Sequence, residues 1–367
     1  MRGLAPMGQG MTPSAAGGSS PDRSTPSVGP QTPRANAGPI WPGADPIAVE
    51  WAADRLAAGG LVAFPTETVY GLGARADDDR AVARVFSAKG RPSDHPLIVH
   101  VLDAEAADAF AAALPPRAVR LMQAFWPGPL TVIVTRQAAM AAAAAGGAAT
   151  VGLRCPAHPV ARALLAAAAK RGVPGIAAPS ANRFGRVSPT CAAHVVDEFG
   201  PTVPVLDGGP CEVGVESTIV DVSRDAAVLL RPGGVARDAV ERVLGEPLRD
   251  RDEAAPRASG TLEQHYAPRA RVVLLDARSL SQRLDGLPGT RSGPAQGLGV
   301  YSRSLPARPD VGVWRTMPQD PAVAAHELFA VLRDFDAAGV DTVWVEQVPD
   351  GAAWEAVADR LRRAAAA

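Results

Sequence analysis

Six short polar clusters carry the side chains able to do chemistry, and each lies where an apolar run meets a turn. The first, Pro65-Thr66-Glu67-Thr68-Val69-Tyr70-Gly71-Leu72-Gly73, joins hydroxyls and a carboxylate to two glycines that let backbone approach a ligand. In the second, Lys89 and Arg91 flank Gly90 as a cationic fork suited to phosphate oxygens, with His95 and His100 downstream. Thr150-Val151-Gly152-Leu153-Arg154 is a strand that ends in a cation, and Pro179-Ser180-Ala181-Asn182 is followed by Ser188-Pro189-Thr190. Glu216-Ser217-Thr218 opens a strand, and Leu230-Arg231-Pro232-Gly233 closes another. Taken singly, each also reads as a capped turn, a helix-closing cation or a core histidine. Together they supply cations, hydroxyls and the Asn182 amide, which both donates and accepts as adenine or phosphate recognition requires. No nucleophile–base pair is evident. That inventory fits binding and activating an anionic substrate better than hydrolysis through a covalent intermediate.

Sites of this kind form at the ends of strands in α/β sheets. Apolar runs at 61–64, 97–101, 130–134, 203–206, 218–222 and 227–230 alternate with helical patterns at 79–89, 116–125, 158–171 and 235–244. An α/β domain over residues 45–246 is expected from that rhythm. It opens at Asp45-Pro46, a cap followed by a first-turn proline, and its first helix stops at Gly59-Gly60. Residues 247–270 break all periodicity and read as a linker. The rhythm resumes with strands at 272–275, 298–301 and 342–346 and helices at 321–337 and 352–364, a second, smaller α/β domain over 271–367. Residues 1–44, rich in Gly, Ser, Pro and Thr, read as a disordered tail.

Composition narrows the function classes. The 367 residues hold 37 Lys plus Arg against 38 Asp plus Glu, a net charge of −1, which excludes a strongly basic nucleic-acid binder. Cys155, Cys191 and Cys211 have no metal-like spacing and point to a reducing compartment. No run of about 18 apolar residues could span a membrane. Walker A, GxGxxG, HExxH and CxxC patterns are absent. Lysine survives only at Lys89 and Lys170, and asparagine only at Asn36 and Asn182. In so Arg- and Ala-rich a chain, Lys89 and Asn182 therefore stand out.

PTETVYGLG, KGRP with PLIVHV, TVGLR, PSAN, ESTIVD and LRPG follow one another in the order of the YrdC-like family, and GTLEQHYAP resembles the linker of its long, two-domain threonylcarbamoyl-AMP synthases. The resemblance implies a YrdC-like twisted open sheet with helices, joined through a linker acting as a lid to a smaller Rossmann-like α/β C-terminal domain. It implies a nucleotidyltransferase in which L-threonine, bicarbonate and ATP, with Mg²⁺, give threonylcarbamoyl-adenylate and pyrophosphate. The product would pass to a cytoplasmic threonylcarbamoyl transferase complex that forms N6-threonylcarbamoyladenosine at tRNA position 37. Residue by residue, Thr68, His100, Arg154, Ser180 and Ser217 fall on threonine-binding positions. Arg91, His95, Thr150, Asn182, Ser188, Arg231 and Tyr266 fall on ATP-binding ones, and Lys89 with Arg91 forms the catalytic KxR motif. His95 stands where the family has Asn, Leu262-Glu263-Gln264 replaces a more basic linker, and no side chain is assigned to metal. Two other readings compete. A carbamoyltransferase of hydrogenase maturation would need an acylphosphatase domain and paired CxxC motifs, which are missing. An RNA-binding or ribosome-maturation module fits poorly with a net charge of −1, although a weak RNA contact stays open.

Overall fold

The computed structural model describes residues 39–287 and 295–367, so most of the expected tail, 1–38, lies outside the described residues. The chain runs through β1 (Ile40–Pro42), α1 (Pro46–Ala57), β2 (Val62–Phe64), β3 (Gly71–Arg75), α2 (Asp79–Lys89) and β4 (Ile98–His100). Next come α3 (Ala104–Ala107), α4 (Pro116–Phe125), β5 (Leu130–Thr135), β6 (Thr150–Arg154), α5 (Pro159–Ala169) and β7 (Ile176–Ala177). With α6 (Ala192–Phe199), β8 (Val205–Asp207), β9 (Thr218–Asp221), β10 (Val228–Arg231), α7 (Arg237–Leu244) and β11 (Arg249–Asp250), they build a mixed eleven-stranded sheet. Its order is β1-β8-β2-β3-β7-β4-β6-β5-β9-β10-β11.

Helices cover both faces because each carries one apolar stripe. On one side Ala52 and Leu56 of α1 and Leu164 of α5 bury against Phe64 and Ile176. On the other, Val82 and Val85 of α2 and Leu121 of α4 bury against Leu72 and Val132. Asp45 caps α1 as the sequence predicts, accepting the Ile47 N–H at 2.9 Å ahead of Pro46.

Register decides which residues meet. β4 and β6 are parallel with His100 opposite Arg154, so both strands end side by side. β5 runs antiparallel to β6 and parallel to β9, which brings Ser217, just before β9, to that same edge. β10 is antiparallel to β9, so Arg231 at its end arrives there too.

The second unit comprises β12 (Arg271–Leu275), α8 (Ala277–Asp285), β13 (Ala295–Ser302), β14 (Val311–Thr316), α9 (Pro321–Ala337), β15 (Thr342–Glu346) and α10 (Glu355–Ala365). Its sheet is wholly parallel, in the order β12-β15-β13-β14. Leu280 and Leu284 of α8 pack on one face. Leu328 and Leu332 of α9 and Leu361 of α10 pack on the other, in a cluster that also takes in Val69, Val187, Val215 and Tyr266. The two units therefore share apolar core.

Several strands were not foreseen. Ile40–Pro42, assigned by composition to the tail, form β1 and pair with β8. β3, β7, β11 and β14 were also missed. β3 is the instructive case, since GLGAR has no β-branched residue. A Cβ on Gly73 would lie 2.8 Å from both Ile176 Cγ2 and Phe64 Cε1, so this glycine permits close packing. It does not open backbone to a ligand, as its spacing had suggested. No helix among the described residues is long and apolar enough to cross a membrane.

Candidate active site

The converging strand ends line one open cavity. Of the thirteen residues singled out by sequence, ten line it: Thr68, Lys89, Arg91, His100, Arg154, Ser180, Asn182, Ser217, Arg231 and Tyr266. They come from segments scattered between residues 66 and 266, and Ser259, Gly260 and His265 of the expected linker complete the wall.

At one end, Arg154 is buried and forms a 2.8 Å ion pair with Glu67, whose second oxygen accepts the Ala157 N–H at 3.0 Å. Burial works to raise the Glu67 carboxyl, but the Arg154 charge and hydrogen bond outweigh it and hold the group below its usual range. Thr66 Oγ1 donates to Val69 O at 2.7 Å and lies 2.8 Å from Thr68 Oγ1, so the turn after β2 is tied by its own hydroxyls. His100 is buried with Nδ1 unpartnered. A cation, an imidazole and a hydroxyl thus face one space, a set that could hold an amino acid.

Lys89 is fully buried, and its Nζ donates to the carbonyls of Ser180 (2.6 Å) and Asn182. Burial first, then the neighbouring Arg91, pushes its pKa well below that of a free lysine. Two of its three possible donors hold the PSAN turn, which leaves one for the cavity. Arg91 donates to His95 O at 3.3 Å and Pro96 O at 3.0 Å, and its guanidinium lies 5.7 Å from the Phe184 ring centre. Its remaining N–H groups face the cavity, and burial brings it to about 10, still a cation at neutral pH. Asn182 spends both amide hydrogens on Arg183 O (2.7 Å) and Arg186 O (2.8 Å). Its Oδ1 is buried without a partner, an acceptor waiting for a donor such as an exocyclic amine.

Arg231 closes the other end, donating to Ser217 O at 2.8 Å, Ser217 Oγ at 3.1 Å and Ser259 O at 2.9 Å. It therefore fastens the linker to the strand entrance. Ser217 Oγ also lies 2.8 Å from Thr131 Oγ1. Tyr266 is buried with φ of 62°, a left-handed conformation that a tyrosine holds only where its surroundings enforce it.

Three expected residues stand elsewhere. His95 lies in a neighbouring cavity whose wall also includes Arg91, Gly260 and His265. Ser188 points instead at Glu216, donating at 2.5 Å. Thr150 sits at the opposite end of β6 from Arg154, beside Thr135. Two carboxylates were not among the expected site residues, Glu67 and Glu216, and both line the cavity. Both are engaged by arginines, and among the described residues no three His, Cys, Asp or Glu side chains cluster as a metal site. The protein's own donors do not fit a resident cation.

Burial in this site has a pH consequence. His100 is pushed down to about 3 by burial and Arg154, and His265 to about 3 by burial with Arg91, Lys89 and Arg231 adding to it. Both pKa values lie below the ~6.5 of an unfolded histidine, so the unfolded chain binds more protons between those limits. Their stabilising effect is full above pH ~6.5 and fades on acidification towards 3. Between pH 7 and 5 each histidine should withdraw about 2 kcal/mol, well before Glu216, held near 2, begins to titrate. Urea unfolding at the two pH values measures this. An unchanged midpoint would mean that both imidazoles reach water.

Comparison with known proteins adds to this geometry. Residues 54–233 match the Sua5–YciO–YrdC family, described as "Telomere recombination", and residues 235–366 match the "Threonylcarbamoyl-AMP synthase, C-terminal domain". The chain is 38% identical to the threonylcarbamoyl-AMP synthase of Pyrococcus abyssi, over 86% of this chain and 94% of that one. It is 40% identical to that of Bacillus subtilis, over 83% and 89% respectively. A crystal structure of P. abyssi Sua5 complexed with L-threonine superposes with a TM-score of 0.79 at 36% identity, covering 88% of this chain and 95% of the other.

Proposed function

The chain belongs to the threonylcarbamoyl-AMP synthase family in its long form, and from that premise we propose that the cavity makes L-threonylcarbamoyl-adenylate from L-threonine, bicarbonate and ATP. One observation supports this reading most. Ten residues of separate segments, chosen from the sequence for this reaction, surround a single cavity with Arg154 at one end and Lys89, Arg91 and Arg231 among the rest of its wall.

The neutral threonine amine attacks carbon dioxide and gives up a proton, or attacks bicarbonate with loss of water, and either route leaves the carbamate. A carbamate oxygen then attacks the α-phosphorus, and the bond to the departing pyrophosphate breaks. Arg154, held by Glu67, takes the substrate carboxylate in its fork, while His100 and Thr68 meet the hydroxyl. Ser180 and Ser217 hold remaining polar atoms. Arg91, Arg231 and the free donor of Lys89 balance charge as it moves onto the leaving phosphates, and Asn182 Oδ1 accepts from the nucleotide. Magnesium enters as the counter-ion carried by ATP. Positioning and electrostatics supply the rate, with no protein nucleophile. Residues 251–270 act as a lid that keeps water from the labile adenylate, as their contact with Arg231 suggests. In this reading the product serves threonylcarbamoyl transfer to tRNA position 37, and the enzyme works in the cytoplasm.

The test is mass spectrometry of the product from the three substrates, with pyrophosphate measured in parallel. A mass other than threonylcarbamoyl-adenylate would end the proposal. Selectivity adds a second check: 2-aminobutyrate, lacking only the hydroxyl, should show kcat/KM lower by about a hundredfold, because Thr68 and His100 are left unpaired. Equal efficiency for the two amino acids would make both residues structural.

A further inference from the structure

Two arginines of the C-terminal unit bond segments of the first unit that lie at or next to the cavity wall. Arg360 of α10 is fully buried. Its Nε donates to Glu216 Oε2 at 2.8 Å, and its Nη1 to Pro232 O at 3.0 Å and Asp359 Oδ2 at 2.7 Å. The guanidinium carbon lies 5.1 Å from the centre of the Tyr266 ring. Glu216 Oε1 accepts from Ser188, so one guanidinium governs the carboxylate that orients Ser188. That carboxylate belongs to the residue before Ser217, and Pro232 is the residue after Arg231. Arg333 of α9 donates to the carbonyl of Val187, immediately before Ser188, and pairs with Glu198 at 3.0 Å. The linker docks on the same loop, with Ala267 N donating to Gly185 O at 2.9 Å.

Adhesion alone does not account for Arg360. A buried guanidinium is expensive to desolvate, and apolar side chains of similar volume join two surfaces as well or better. The shared core of Val69, Val187, Val215 and Phe329 already does so. A planar cation adds direction, fixing a carboxylate, a carbonyl and an aromatic face at set angles.

We infer that Arg360 is a positioning residue for adenylate formation: it touches no reacting atom, but it sets Glu216, and through it Ser188 and Ser217, and it holds the Tyr266 ring directly. Docking of the C-terminal unit thereby assembles the ATP side of the cavity. This rests on the reaction proposed above.

The experiment measures steady-state kinetics of the full chain as wild type, Arg360→Lys, the charge-neutral pair Arg360→Met with Glu216→Gln, and Arg237→Gln. The last breaks a different pair between the two units, Arg237 with Glu355 at 3.0 Å. Arg360→Lys should raise KM for ATP at least about tenfold while KM for threonine stays within about twofold. The neutral pair should unfold near the wild-type temperature yet keep the raised KM for ATP. Arg237→Gln should change neither KM. If Arg360→Lys behaves like Arg237→Gln, or if both KM values rise together, Arg360 is adhesive and the inference is wrong. Should the wild type release no pyrophosphate, the proposed reaction fails by itself. The positioning of Tyr266 is then read without substrates, as protease cleavage within 251–270. Cleavage faster in Arg360→Lys than in both wild type and Arg237→Gln supports it, and equal rates overturn it.

Discussion

Pyrophosphate release from the Arg91→Ala enzyme is expected to fall about a hundredfold, the equivalent of ~3 kcal/mol in transition-state stabilisation. The size follows from how Arg91 is held. Two of its five donors are spent on the His95 and Pro96 carbonyls, which lock the guanidinium in place above Phe184. The others have no partner among the described residues and belong to a buried side chain already held in place, so meeting phosphate charge requires little reorganisation. Neither neighbour can substitute. Lys89 is tied to two carbonyls, and Arg231 is committed to Ser217 and Ser259. Arg91→Lys should recover little, since an ammonium cannot bridge two phosphate oxygens in a plane and would release the 91–96 turn. Stopped assays of pyrophosphate with saturating threonine and bicarbonate measure the loss. Activity within about threefold of wild type, under ~0.7 kcal/mol, would remove Arg91 from the phosphate site.

What the sequence made legible was local chemistry. Asp45-Pro46, Gly59-Gly60 and the strands around His100, Arg154 and Arg231 are written in short-range pattern, so they could be placed within a residue or two. The parallel C-terminal sheet was likewise readable, apart from β14. Illegible features depend on distant partners. Glu67 lay inside a quoted motif, but nothing in its spacing announces a bond to Arg154, because the turn after β2 meets the end of β6 only on folding. Arg360 sits in Arg360-Leu361-Arg362-Arg363, indistinguishable by type from a solvent-facing run, and only the docking of α10 buries it. Gly73 misled for the opposite reason. A glycine next to a polar cluster suggests ligand approach, whereas Ile176 and Phe64 need that space. Asn182, conspicuous by its rarity in the sequence, lines the cavity and keeps Oδ1 among the few buried acceptors left open in the described residues.

Arg154→Ala should do more damage than any other single change in the cavity, through two separate effects. Its removal strands Glu67 as a buried carboxylate left only with backbone N–H donors, its own and that of Ala157. Breaking a buried pair in this way costs about 3–5 kcal/mol of stability. Glu67 would then escape by taking up a proton, its pKa rising above the ordinary value as desolvation goes unopposed. A group raised in the folded state stabilises below its unfolded pKa and loses that contribution as pH rises, so this variant should be sturdier at pH 5 than at pH 7 relative to wild type. The second effect is catalytic. A substrate carboxylate entering the cavity would meet Glu67 where it had met a guanidinium, and kcat/KM for threonine should drop about a thousandfold, or ~4 kcal/mol. Arg154→Met combined with Glu67→Gln separates the two effects, for it removes both charges at once. The pair should regain most of the lost stability and almost none of the threonine use. If the double variant unfolds like wild type and still uses threonine within about threefold, Arg154 serves only to neutralise Glu67, and the amino acid's carboxylate is held by another group.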